Sequence, residues 1–162
     1  MKEWNGLFIV KKLLSFYLLF GSIYYLCTML YSFGVLGYLS YFLPLTFFMI
    51  LFLFFIYSGY KGVMAKAEDS FILAQWSFFI QSFQIKILGL HFDNFFGPYF
   101  GIGFSDEPKI HFISSIKLFS YHFLNGYDKN STEISIVINL ISIGFGILLG
   151  LKEKRPEPEI LQ

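Results

Sequence analysis

The side chains best suited to chemistry gather in one stretch, where His91, His111 and His122 occur beside Asp93, Asp106 and Asp128. Imidazole and carboxylate are zinc ligands. With a hairpin tip at Ile116 and Lys117, His111 would face His122, while His91 and Asp93 share one strand face. The spacing argues against a metal: there is no compact H-x3-H or C-x2-C pair, and Cys27 is the sole cysteine. Histidines on the surface of a small sheet account for the pattern, so no metal and no cofactor is expected.

Other motifs lead to the same place. Gly97-Pro98 and Gly101-Ile102-Gly103 are not followed by GxxxxGK[ST], so they read as turn and strand glycines and not as a phosphate loop. Ser114 and Ser115 lack a G-x-S-x-G setting, so nothing prepares a hydroxyl nucleophile. The expectation is a protein that is not an enzyme, with no catalytic residue.

A different constellation sits near the C-terminus. Ser135, Asn139, Ser142, Gly146 and Gly150 follow one another at steps of four, three, four and four, which places all five on one face of a helix. Gly146 and Gly150 form a GxxxG pair of the kind that lets helix backbones approach closely. Ala74, Ser77, Gln81 and Gln84 make a similar stripe earlier in the chain. Helix packing between these two stripes is the first reading, and a homo-oligomer seam is the second.

The elements carrying these residues follow from composition. Of 162 residues, 56% are hydrophobic and only 14% charged, with mean hydropathy +0.61, whereas soluble domains carry about 25% charged residues. Four apolar runs are long enough to read as membrane-crossing helices: Leu13 to Tyr31, Tyr41 to Tyr57, Lys66 to Phe83, and Ile134 to Leu151. The fold class expected is a membrane all-α bundle of four transmembrane helices with a short antiparallel β-sheet between the third and fourth. Residues 1–83 hold three helices, 84–133 the extracytoplasmic β-rich insertion, 134–151 the fourth helix, and 152–162 a disordered cytoplasmic tail. Alternation after Phe83 reads as a strand, the competing reading being a third helix continued to Leu90 with Lys86 reaching the surface, and Asn125-Gly126 reads as a hairpin turn.

Lys2, Lys11, Lys12, Lys61, Lys66, Lys152, Lys154 and Arg155 fall on one side of such a bundle, so the positive-inside rule puts both termini in the cytoplasm of a multi-pass protein. The richness in Phe, Tyr, Ile, Lys and Asn favours a bacterial inner membrane. Net charge is +1, without a basic patch, which excludes nucleic acid as a partner. No Asp, Glu, Arg or His lies at the middle of a span, against a pump or coupled transporter. The expected role is a non-enzymatic accessory or interaction protein. Its partners would be the lipid bilayer and another protein or a second copy, met through aromatics such as Phe95, Phe96, Tyr99, Phe100 and Phe104. A small oligomeric channel or permease is the alternative.

Overall fold

The computed structural model describes residues 6–36, 42–66, 71–87, 90–106, 109–127 and 132–151. Two long helices open the chain, α1 (Gly6–Leu36) and α2 (Phe42–Val63). A short helix α3 (Ile72–Gln81) leads directly into strand β1 (Phe83–Ile87), followed by β2 (Leu90–Ser105) and β3 (His111–Tyr127). Strand β4 (Ile134–Asn139) then runs without a loop into α4 (Leu140–Gly150).

This architecture corrects the four-span bundle. At 1.5 Å per residue, α3 and α4, of 10 and 11 residues, reach only about 15–17 Å, against a hydrocarbon layer of ~30 Å. Among the described residues one helix is long and apolar enough to cross a bilayer, Gly6–Thr28 within α1; the apolar runs Met49–Val63 and Leu140–Gly150 are shorter. The multi-pass, inner-membrane reading with two cytoplasmic termini goes with it, because it was counted over four crossings. The cause lies at Ile134–Asn139, where Ile134, Ile136 and Ile138 alternate with Ser135, Val137 and Asn139. That is the period of a strand, and taking those six residues as helix lengthened α4 into a span.

The helices share one aromatic core built on Leu18, Tyr25, Phe52, Phe55, Phe71 and Phe78. Tyr25 stacks on Phe52 with centroids 5.7 Å apart, and Phe78 meets Phe145 of α4 edge to face at 5.5 Å. Gly59 brings α2 against α1, since a Cβ there would lie 2.6 Å from the Leu19 backbone nitrogen.

The four strands form one antiparallel sheet in the order β1-β4-β2-β3, with β1 also paired to β2. Strand β2 is used twice along one edge: Leu90 to Asp93 pair with β1, and Gly101 to Ser105 pair with β4. Because β1 and β4 also pair with each other, the sheet curls round on itself. The bend in β2 falls at Gly97, whose φ of 116° is a left-handed value that L side chains avoid, and the β2–β3 register shifts between Gly97 and Tyr99. A Cβ at Gly97 would also collide with the Tyr17 hydroxyl of α1. Glycine is needed there twice over.

Two junctions lock sheet to helices. The Ser82 carbonyl, at the end of α3, accepts from the Asn139 backbone N–H at 2.8 Å. Asn139 is fully buried; its Oδ1 accepts from Ile141 N at 3.1 Å, capping α4, and from Phe100 N of β2 at 3.2 Å, while its Nδ2 donates to Ser142 Oγ at 2.8 Å. One side chain thus starts a helix and holds the middle of β2.

Candidate functional site

The curl gives the sheet two unlike faces. Residues directly opposite in antiparallel strands share a face, so the pairs Gln84↔Val137, Lys86↔Ser135 and Gly103↔Val137 define one side. Lys86↔His91, Gln84↔Asp93 and Tyr99↔Lys117 extend it. This is the concave side. It encloses a cavity of about 350 Å³ lined by Gln84, Lys86, Asp93, Tyr99, Lys117 and Glu133, with Ser115 and Ser135 among the neighbours.

The polar groups within are engaged with one another. Lys86 Nζ pairs with Glu133 Oε2 at 3.2 Å, and Ser105 Oγ donates to Glu133 Oε1 at 3.2 Å. The Tyr99 hydroxyl donates to Gln84 Oε1 at 2.9 Å. Burial pushes the Asp93 carboxyl up to about 6, against the opposing pull of Lys86 and Lys117. Burial, and then the charge of Asp93, push the Tyr99 hydroxyl up to about 12. Gln84 Nε2 and both ring nitrogens of His91 are buried with no hydrogen-bond partner among the described residues. The cavity balances two ammonium groups against two carboxylates.

The convex side is apolar. Phe83↔Ile138, Ile85↔Ile136 and Phe104↔Ile136 pair across it, and Phe104 meets Phe112 edge to face with centroids 5.6 Å apart. A shallow hollow of about 420 Å³ lies among Ile102, Phe104, Phe112, Ile134 and Ile136. Its rim is exposed: Phe104 is 61% accessible, whereas Tyr99 on the other face is 6%.

Helix α1 is apolar on both sides, with Leu18 and Tyr25 in the core. Its inward positions include Lys11, Ser15 and Ser22, all buried, while Leu13, Phe16, Phe20 and Ile23 are exposed. The serines satisfy themselves within the helix, Ser15 Oγ donating to Lys11 O and Ser22 Oγ to Leu18 O. Lys11 Nζ donates to the Leu151 carbonyl just past the end of α4, where a cation is electrostatically favoured.

The residues singled out by spacing scatter over these features. Ser135 lies on β4, facing the cavity; Asn139 caps α4 and bonds Ser142; Gly146 and Gly150 face α3, a Cβ at Gly146 falling 2.6 Å from the Phe79 ring and one at Gly150 meeting Gln75. The five are therefore not one helix face. The stripe earlier in the chain divides as well, Ala74, Ser77 and Gln81 being on α3 and Gln84 on β1.

No hairpin turns at Ile116 and Lys117, because β3 runs straight through them; His111 sits opposite Ser105 and His122 opposite Phe95 on the same strand. Asn125-Gly126 is likewise inside β3, paired with Phe92 and His91. Among the described residues no three His, Cys, Asp or Glu side chains converge. Asp128, the tail 152–162 and the side chains of Phe95, Phe96 and His122 lie outside the described residues.

Sequence reasoning missed the Gln84, Lys86, Asp93, Tyr99 and Glu133 cluster. The available signal was the alternation Gln84-x-Lys86, which puts both on one face but does not say that this face is enclosed. No family model, curated protein or solved structure matches this chain.

Proposed function

We propose that this chain is a non-enzymatic interaction protein, held at a lipid bilayer by α1, whose curled sheet offers its apolar outer face to a protein. What carries the reading is that both elements turn large apolar side chains outward while burying polar ones. In water, a helix or half-exposed sheet turns its apolar stripe to the core and its polar stripe out. Here Lys11, Ser15 and Ser22 point inward from α1 while Leu13, Phe16 and Phe20 point outward. On β4, Ile134 and Ile136 are exposed while Ser135 is buried.

Contiguous exposed apolar surface of this kind marks a contact with lipid or protein. The α1 stripe runs from Ile9 to Tyr31, about 33 Å, and suits lipid. The sheet hollow, floored by strand backbone and rimmed by Phe104 and Phe112, suits the side chains of a protein. The paired charges in the cavity favour a binding and structural role over catalysis.

Two measurements test this. The full chain should stay with membranes after an alkaline carbonate wash, and release into the wash would remove the anchor. A photoreactive side chain at Phe104 should form protein adducts in native membranes, whereas one at Val137 should not. Lipid adducts alone at Phe104, or equal labelling at both positions, would contradict the docking role.

A further inference from the structure

Among the described residues the second edge of β3 has no strand beside it. In the order β1-β4-β2-β3 this strand is terminal, and of its two edges only the one against β2 is paired among the described residues. It is 17 residues long. Such an edge carries a row of backbone donors and acceptors that templates pairing with another strand. Proteins usually guard it with proline, a bulge or inward charges. Between Ile110 and Leu118 there is no proline, Lys117 is the only formal charge, and the register shift comes only beyond Lys117.

On the outward face of this edge the apolar side chains are spaced symmetrically. About Ser114, Phe112 mirrors Ile116 and Ile110 mirrors Leu118. The four are respectively 59%, 74%, 83% and 93% exposed. Antiparallel pairing about a twofold axis matches residues whose numbers sum to a constant, and a centre on Ser114 puts Phe112 opposite Ile116 and Ile110 opposite Leu118, twice each. Every large apolar side chain on this face then meets another, Ser114 meets its own copy, and Lys117 faces His111 instead of a second lysine.

We propose that the chain dimerises by antiparallel addition of β3 to β3 of a second copy, in register about Ser114, joining the two outer faces into one continuous surface. The proposal rests on the interaction role given above and names the partner as this same chain. A twofold contact of one patch with itself is the commonest form of homodimer, and here its recognition is main-chain hydrogen bonding with alternate side chains setting the register.

The test is a cysteine walk on the full chain with Cys27→Ser as background. Directly opposed residues have Cα atoms ~4.5–5.5 Å apart, within the ~4.4–6.8 Å that a disulfide spans. Ser114→Cys should therefore form a disulfide dimer on mild oxidation, whereas Phe112→Cys and Ile116→Cys should link only when the two variants are mixed. Ile116→Lys, at a site exposed enough to leave the fold intact, should raise the dimer dissociation constant at least tenfold by light scattering, with far-ultraviolet dichroism unchanged. A monomer by mass in mild detergent, or self-linking strongest at Phe112→Cys or Ile116→Cys, would overturn the proposal. Protein adducts at Phe104 in a monomeric sample would sink the dimer and leave the interaction role standing. Neither adducts nor dimer would sink both.

Discussion

Asp93→Asn should stabilise the protein, and the gain should depend on pH in a defined way. The Asp93 carboxyl is largely buried at the concave face, and burial pushes it from its ordinary 3.8 up to about 6. A carboxyl raised in the folded state binds a proton more tightly folded than unfolded. Wild-type stability is therefore lost as pH rises from ~4 through ~6, and it is flat above, where both states are ionised. The interval from 3.8 to about 6, at 1.36 kcal/mol per pH unit, gives ~3 kcal/mol as the largest penalty. Lys86 and Lys117 already offset part of the desolvation, so their attraction is contained in that figure. Asparagine keeps the shape and removes the charge. Thermal unfolding in one mild detergent at pH 4, 5, 6 and 7.5 should show the variant matching wild type at pH 4 and exceeding it by ~1–3 kcal/mol at pH 7.5. A variant equally stable at every pH, or weaker at pH 7.5, would refute the burial of that charge.

Other perturbations read other parts of the fold. Asn139→Ala removes the cap of α4 and strands the Phe100 N–H, and it should destabilise by ~2–4 kcal/mol in denaturant unfolding, summing a cap and a buried unpaired donor. Gly146→Val drives a side chain into the Phe79 ring and should lower stability by ~1–3 kcal/mol. Gly144→Ala, with open space around its Cβ, should be neutral or stabilise by up to ~1 kcal/mol by the same assay. Gly97→Ala should destabilise through both its φ and the Tyr17 hydroxyl, and adding Tyr17→Phe should recover only part of the loss. Tyr99 ionisation, followed by ultraviolet difference absorbance, should move down from about 12 in Asp93→Asn, because the nearby negative charge that raises it is gone.

What the sequence made legible was local period. The uncharged run after Lys12 lies within α1, and the alternation Gln84-x-Lys86 marks β1. What it hid was where one period gives way to another. Ile134–Asn139 and Leu140–Gly150 are both rich in aliphatics, so hydropathy merges them, and only the alternation with Ser135 and the capping type of Asn139 separates strand from helix. Asn125-Gly126 has the chemistry of a tight turn, yet β2 offers partners to both residues, and pairing overrides the local preference. The candidate site was less legible still. Its residues come from all four strands and the segment before β4, and the double use of β2 that encloses them is a long-range pairing that no local pattern encodes.

The strand at 134–139, with its inverted faces, is the point on which the whole description turns, and a cysteine scan across it is the most direct test. With Cys27→Ser as background, single cysteines at 134 to 139 would be timed against a small neutral maleimide. Fast reaction at 134 and 136 and slow reaction at 135, 137 and 139 is the expected result, following the exposed and buried alternation. Reactivity repeating every three to four residues would mean that the segment is a helix, and would contradict the curled sheet and everything placed on it.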